Sequence, residues 1–394
     1  MEISPGKFRA RMARMEEALR AVLTALFGGG LPPDRALSDF FRARRDCGSH
    51  DRKMISAAVF AVCRYWGWLR ILCDETLRDA VEKGDNAFSR RELVTLACGA
   101  LFVAREEIES VEAMRRELGL PDFRNGADAC TRMGNFGAAL GAKADFPPEA
   151  LLPEIVAEKM DPALPKAEFF RTLMRRPPMW LRVRADRKEN ALAQLRENGI
   201  AFRESPHLAN AFAATPSKVN LFTLASFRDG DFEVQDLASQ AIGCVCAAVP
   251  GQRWFDVCAG AGGKTLLLAE MMRNRGTILA GDVRAHALET LRLRARRAGY
   301  CNISVKVHDG SGWKGCHPFD AVLVDAPCSN TGVLRRRPDA RWNWSVEKLE
   351  SLVKLQAEIL DQAARLVAPG GTLVYSTCSN EPEENADQVN AFLS

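Results

Sequence analysis

Trp254-Phe255-Asp256-Val257-Cys258-Ala259-Gly260-Ala261-Gly262-Gly263-Lys264-Thr265 reads as a short apolar strand, a Gly-rich turn and the opening of a helix. Such a turn lets backbone approach a ligand closely and leads into the free amides of a helix N-terminus. It is not a Walker A loop, which needs glycine five residues before Gly263, where this chain has Cys258. Nor is it a clean dinucleotide fingerprint, because Gly260-Ala261-Gly262-Gly263-Lys264 lacks the final spaced glycine.

Working outward, alternation of apolar runs and helical spacing predicts strands over 254–257, 277–281, 304–307, 321–324 and 372–376. Helices lie between them, the longest over 346–367 with Leu349, Leu352, Leu355, Ile359 and Leu366 as its apolar positions. Alternating strands and helices give a parallel sheet with right-handed crossovers. Ligands of such sheets bind outside the carboxyl ends of the strands. Here those ends carry Asp256, Asp282, Asp309, Asp325 and Cys378. Asp282 suits two ribose hydroxyls, and Asp309 suits an adenine amino group. An adenosine without phosphates fits this set, which points to S-adenosylmethionine.

Two thiols close two of the strands, in Asp325-Ala326-Pro327-Cys328 and Ser376-Thr377-Cys378-Ser379. Carbon-5 of cytosine is too weak a nucleophile to attack a sulfonium methyl. Adding a thiolate at carbon-6 makes an enamine whose carbon-5 can attack, and loss of the carbon-5 proton then expels the thiol. A lone strand cysteine is usually core. Two of them over one cofactor cleft favour chemistry instead.

With 394 residues the chain has room for two or three domains. Residues 1–145 read as all-helical, with apolar spacing in Met15, Leu19, Val22 and Leu26 and again in Ile55, Val59 and Val62. Asp51 is the expected N-cap of the second of these helices. Pro147, Pro148, Pro153, Pro162 and Pro165 mark a junction, and 146–232 reads as linker and small α/β subdomain. A strand is expected over 179–184, a helix over 190–198 and a strand over 201–203. Residues 233–394 carry the sheet described above.

The N-terminus, Met1-Glu2-Ile3-Ser4-Pro5-Gly6-Lys7, lacks a secretory h-region, and no apolar stretch approaches ~20 residues, so a cytoplasmic protein without a membrane span is expected. Of 12 cysteines, Cys63, Cys73, Cys98, Cys244 and Cys246 sit in apolar helical stretches, where a thiol acts as a small hydrophobe. Cys244-Val245-Cys246 has the wrong spacing for a zinc knuckle, so no metal is expected. The net charge of +4 decides little, but its distribution is informative. Arg335, Arg336, Arg337, Arg341 and Trp342 follow the first cysteine motif, and Arg175, Arg176, Arg182 and Arg184 flank Pro177-Pro178-Met179-Trp180. Basic clusters beside tryptophan suit a polyanion with stackable bases, the alternative being a solvated surface.

These motifs together resemble the Sun/Fmu-type (RsmB-like) RNA cytosine carbon-5 methyltransferases. Val234-Gln235-Asp236-Leu237-Ala238-Ser239-Gln240 is similar to the family's entry into its catalytic domain. Asp256 to Thr265 resembles its cofactor loop, with Gly260-Ala261 where Ala-Pro is usual. Asp325-Ala326-Pro327-Cys328-Ser329-Asn330-Thr331-Gly332 resembles its first cysteine motif, with Asn330 where glycine is commoner. Asn tolerates left-handed backbone, so that turn should survive. Tyr375-Ser376-Thr377-Cys378-Ser379 with Glu383-Glu384-Asn385 resembles the second. His50-Asp51-Arg52-Lys53 and Arg64-Tyr65-Trp66-Gly67 are similar to segments of the family's NusB-like RNA-binding domain.

The resemblance implies a Rossmann-like α/β methyltransferase domain preceded by an all-α NusB-like domain and a small α/β subdomain. It implies Cys378 as nucleophile, Cys328 as the thiol that assists release, Asp325 as the group orienting the base, and Lys264 as a contact to base or backbone. Cofactor contacts fall on Cys258, Ala259, Gly260, Ala261, Gly262, Gly263, Lys264, Asp282, Asp309 and Asp325. The substrate it implies is ribosomal RNA of the small subunit rather than transfer RNA, and a monomer is the default. Relatives continue through an antiparallel hairpin after the second cysteine motif, which this sequence, ending at Ser394, is expected to lack. The competing readings are a non-catalytic RNA-binding ribosome-assembly factor that keeps the fold, and a protein or exocyclic-amine methyltransferase, which would need no thiol.

Overall fold

The computed structural model describes residues 5–85, 87–159, 165–215, 219–310, 313 and 318–394. The first four residues and Pro162, both used in the sequence reading, lie outside them. The chain divides into two units, one of Met1–Arg176 with Asn330–Ser345, the other of Pro177–Ser329 with Val346–Ser394.

The first unit is built on helices α1 (Pro5–Gly29), α2 (Pro33–Ala43), α3 (Ser49–Leu69), α4 (Glu75–Glu82), α5 (Arg90–Ala104), α6 (Ile108–Leu118) and α7 (Ala129–Ala139). The starts of α4, α5 and α7 carry side chains that satisfy orphan amides. Asp74 accepts from Leu77 N, Asp128 accepts from Thr131 N, and Ser89 with Glu92 forms a capping box. Met15, Leu19, Val22 and Leu26 of α1 pack with Ile55, Val59 and Val62 of α3 in one core.

Asp51 is not the N-cap of α3, as the sequence suggested. The helix starts two residues earlier, and Asp51 in its first turn accepts from Gly48 N, Arg11 Nε and Arg14 NH1. Helix α3 is long and apolar enough to pass for a membrane span. Its apolar side chains instead fill this core, Trp66 and Trp68 among the most buried of them. Gly67 has no room for a side chain, since a Cβ there would lie 1.7 Å from Ala150 O.

Asn330–Ser345 belongs to this helical unit, although the sequence reading assigned it to the catalytic domain. The reason is visible at Arg341, which is 0% exposed and donates to the carbonyls of Arg64, Leu151, Leu173 and Leu334. Trp342 Nε1 adds a bond to Cys63 O, and Arg64 NH1 reaches Arg335 O. Four buried side-chain-to-carbonyl bonds and a fifth, half-buried one anchor this irregular segment.

The second unit holds two sheets. In the antiparallel one, β1 (Met179–Val183) lies between β3 (Ala211–Ala214) and β4 (Phe232–Val234), with β2 (Phe202–Glu204) on the outer side of β3. The sequence anticipated β1, β2 and the helix Lys188–Glu197 between them. The parallel sheet runs β7-β6-β5-β8-β9 and comprises β5 (Arg253–Asp256), β6 (Thr277–Asp282), β7 (Ile303–Val307), β8 (Phe319–Asp325) and β9 (Val367–Ser376). All four pairings are parallel.

Ala321, Val322, Leu323 and Val324 of β8 are buried on both faces, as a central parallel strand requires. Chain order reverses between β5 and β8, so the crevice for a ligand opens at their carboxyl ends. The long helix Val346–Ala364 buries Leu349, Gln356 and Leu360, and turns Leu355 to solvent rather than to the core.

Candidate active site

The Gly-rich turn follows β5. Gly260 (φ 54°) and Gly262 (φ 85°) adopt the left-handed region. Gly262 ends the turn at the start of the helix Gly263–Met271, and a Cβ on it would sit 2.5 Å from Leu291 Cγ. Asp282, at the end of β6, fixes the loop by accepting from Gly260 N at 2.8 Å. Its two oxygens also take Arg284 N, Nε and NH2 at 2.8–3.0 Å. Burial alone would raise the Asp282 carboxyl, but the hydrogen bonds and charge of Arg284 and the Gly260 amide outweigh it and hold it below the ordinary range. Arg284 is a partner that sequence reasoning did not foresee.

Behind the loop, Asp256 is buried, and its Oδ2 accepts from Thr265 Oγ1 at 2.7 Å while Oδ1 has no partner. Burial pushes its carboxyl up to about 7. Burial also pushes the Cys258 thiol up to about 12, so this cysteine lines the loop as a neutral group.

Strand β8 ends on Asp325, whose Oδ2 accepts from Lys264 Nζ at 2.6 Å and Oδ1 from Ser376 Oγ at 3.0 Å. One carboxylate therefore joins the first turn of the cofactor-loop helix to the end of β9. Three residues beyond Asp325 stands Cys328, and two beyond Ser376 stands Cys378. Their sulfurs are 3.2 Å apart, and Cys378 N donates to Cys328 Sγ at 3.3 Å. Cys378 is exposed, whereas Cys328 is 8% exposed. Asn330 takes the left-handed conformation (φ 65°) that the sequence reading required of it.

Beneath the thiols lies a buried polar network. Glu384, 0% exposed, accepts from Ser329 N, Ser329 Oγ and Gln356 Nε2. Gln356 Nε2 also donates to Pro327 O. Tyr375 OH bonds Gln356 Oε1 and Glu384 O. Ser329 and Ser379, each following a cysteine, share a 3.0 Å contact. Thr377 Oγ1 and Asn385 Oδ1 close the second turn at 2.7 Å. The sequence carried Glu384 and Asn385 only as part of a motif and passed over Gln356. A glutamine on the apolar stripe of a long helix was the available signal.

Lys264, Asp325, Cys328, Cys378 and the loop from Cys258 to Gly263 thus converge, with Asp282 supporting the loop. Asp309 is exposed in the loop after β7. The basic cluster is corrected further. Arg341 has no surface to offer an RNA, and Trp342 is engaged with Cys63 O. Arg335 donates to the carbonyls of Arg175 and Arg176, and Arg337 pairs with buried Asp339. Arg336 is the exposed member. Arg182 is likewise buried against Glu270, and Cys244, expected in a core, is exposed.

Residues 244–394 match the family model described as 16S rRNA methyltransferase RsmB/F. Ribosomal RNA small subunit methyltransferase B of Klebsiella pneumoniae (strain 342) is 40% identical over 228 residues, which are 55% of this chain and 51% of that protein. The chain spans about half the length of the curated relatives it matches. In fold it is similar to the crystal structure of PH0851, with a TM-score of 0.71 over 96% of this chain and 89% of that one at 23% identity. A methyltransferase homolog protein from Pyrococcus horikoshii aligns with a TM-score of 0.50 over 62% of this chain and 76% of that one, at 26% identity. Motifs, sheet order and these likenesses agree, and residues 244–394 are similar to the RsmB/F family of 16S rRNA methyltransferases.

Proposed function

We propose that this protein methylates carbon-5 of a cytosine in small-subunit ribosomal RNA, through a covalent adduct between Cys378 and carbon-6. The observation that carries the reading is the pair of sulfurs 3.2 Å apart, one exposed and one buried, beside the Lys264–Asp325 ion pair. The methyl donor that fits is S-adenosylmethionine, which supplies an electrophilic sulfonium methyl when bound. Its nucleoside end suits the Asp282 carboxylate, and the Gly260–Gly263 turn has the bare backbone that close approach needs.

The chain's own residues perform the remaining steps. Cys378, open to solvent, adds to carbon-6 and so makes carbon-5 nucleophilic. Asp325, oriented by Lys264 and Ser376, accepts from the amino group of the base. Cys328 accepts the Cys378 N–H, and its thiolate form suits the group that takes the carbon-5 proton as Cys378 departs. A protein or exocyclic-amine methyltransferase would have no use for either thiol.

The helical unit is read as the NusB-like, RNA-binding part. Support comes from a cavity of about 440 Å³ lined by Ser38, Phe41, Arg42, Arg45 and Arg52, with the Arg52 guanidinium 5.0 Å above the Phe41 ring. Guanidinium groups beside an aromatic face suit phosphate and a stacked base.

The test is incubation with 5-fluorocytosine-substituted ribosomal RNA and S-adenosylmethionine. Fluorine cannot leave carbon-5 as a proton does, so the protein should be trapped on RNA through Cys378. Absence of an adduct, with RNA and cofactor both bound, would favour the non-catalytic assembly factor instead.

A further inference from the structure

Gln235 lies between β4 and the helix Leu237–Val245. Its backbone is pinned on both sides, since its N–H donates to Trp180 O at 3.1 Å and its carbonyl accepts from Gln240 Nε2 at 2.8 Å. The side chain is therefore delivered in a fixed direction. It is only 7% exposed, and neither Oε1 nor Nε2 has a hydrogen-bond partner. An amide left this way is destabilising at both of its polar ends, and most buried amides in folded proteins are paired.

The direction it takes is toward the cofactor loop. Gln235 Nε2 lies 3.4 Å from the point a Cβ on Gly263 would occupy. Gly263 opens the helix Gly263–Met271, whose N-cap is another glycine and supplies no capping side chain. The first bond into that helix is Leu266 N to Gly262 O, so the N–H groups of Gly263, Lys264 and Thr265 precede the intrahelical ladder. Two independent features thus meet: a helix start with its positive dipole end open, and a buried amide offering one donor end and one acceptor end.

That combination fits an α-amino acid. Backbone N–H groups and the Gln235 NH2 can hold a carboxylate, while Gln235 Oε1 can accept from an ammonium. We propose that Gln235 anchors the amino-acid end of the methyl donor, at the Gly263 end of the Gly-rich turn whose Gly260 end is held by Asp282. This rests on the reading that S-adenosylmethionine is the donor. It adds a binding residue from outside the parallel sheet.

The test is calorimetric binding of two ligands to the full chain. S-adenosylhomocysteine carries the amino-acid end, and 5′-methylthioadenosine shares its nucleoside and thioether but lacks that end. Gln235→Leu keeps the size of the side chain and removes only the amide. It should weaken S-adenosylhomocysteine about ten- to a hundredfold, the weight of a hydrogen bond to a charged group, and leave 5′-methylthioadenosine within about twofold. Gln235→Glu, which sets a carboxylate against a carboxylate, should weaken the first ligand at least as much and again spare the second.

Equal loss of both ligands, or no loss of either, would assign Gln235 to packing or to a buried water and overturn the proposal. A fall in thermal stability with unchanged binding has the same meaning. If the wild-type protein binds neither ligand, the donor reading itself fails, and that result is distinct from any behaviour of the variants.

Discussion

Removing the Glu384 carboxylate should separate the two cysteine turns. In Glu384→Ala, the Ser329 N–H loses its acceptor in a buried site, which costs about 1–3 kcal/mol. Two further bonds, from Ser329 Oγ and Gln356 Nε2, are lost, each at about 1 kcal/mol, because both donors keep a second partner in Ser379 Oγ and Pro327 O. A loss of roughly 3–5 kcal/mol is a large part of the ~5–15 kcal/mol that holds a typical domain folded. With the network gone, Cys328 and Cys378 lose the support that keeps their sulfurs 3.2 Å apart.

Misplacement by ~1 Å costs about 100-fold in rate, so adduct formation with 5-fluorocytosine RNA should fall by about that factor while S-adenosylhomocysteine binding stays within about twofold. Glu384→Gln should behave differently. Its oxygen can keep the Ser329 N–H and Gln356, and its amide can donate to Ser329 Oγ, whose hydroxyl then turns to Ser379. That variant should lose about 1 kcal/mol and most of its rate should remain. Chemical denaturation and adduct kinetics on both variants decide the matter. An Ala variant that is destabilised yet forms adduct at the wild-type rate would refute the argument that this network positions the thiols.

Cys378→Ala should form no adduct on natural RNA, whereas Cys328→Ala should leave protein trapped on it as a shifted band on a denaturing gel. The opposite pattern would exchange their roles. Arg341→Met should destabilise the helical unit by about 3 kcal/mol in urea unfolding, through carbonyls left without a donor, and leave the salt dependence of RNA binding unchanged. Arg336→Ala and Arg45→Ala should each lower that salt slope by about 1, and an unchanged slope would return either residue to the solvated surface. For Asp256, burial lifts the folded carboxyl to about 7, above the ~3.9 of an unfolded chain, so the folded state keeps a proton that the unfolded state releases. Stability from this group is intact below about pH 4 and declines as pH rises toward about 7, then levels off. Relative to wild type, Asp256→Asn should therefore gain up to roughly 4 kcal/mol between pH 4 and pH 8, and a pH-independent difference would refute the assignment.

The parallel sheet was legible because its signal is local. Strands β5, β6 and β8 are mostly apolar and end on Asp256, Asp282 and Asp325, β7 and β9 stop two residues before Asp309 and Cys378, and the ends observed differ from those expected by a few residues. The longest such extension is β9, which begins at Val367 rather than at Thr372. Strands β3 and β4 were not legible. Ala211-Phe212-Ala213-Ala214 lacks the β-branched residues that mark a strand, and β4 is three residues long, so pairing with β1 rather than propensity makes both of them. Asn330–Ser345 failed for a different reason. A run of arginines is ambiguous between a nucleic-acid surface and buried donors to carbonyls, and only tertiary contacts separate the two. Arg284, Gln356 and Gln235 share that difficulty, because a single polar residue carries no periodicity.

The site's polar groups form two chains of contact that meet at the ends of β8 and β9. One runs from the cofactor-loop helix through Lys264 and Asp325 to Ser376, and the other from Glu384 through Ser329 to Ser379. The first ties the Gly-rich loop to the end of β9, two residues before Cys378, and the second ties the two thiol turns to each other. The first begins on the helix Gly263–Met271, and the second, from Glu384 in the short turn Pro382–Glu384, is braced by Gln356 of the helix Val346–Ala364. A reaction in which carbon-6 must meet one sulfur while carbon-5 faces both a methyl and a base needs that rigidity in two directions at once. A fold kept only for RNA binding would need neither chain, and the internal burial of Glu384 and Gln356 would then be a standing cost in desolvation without return.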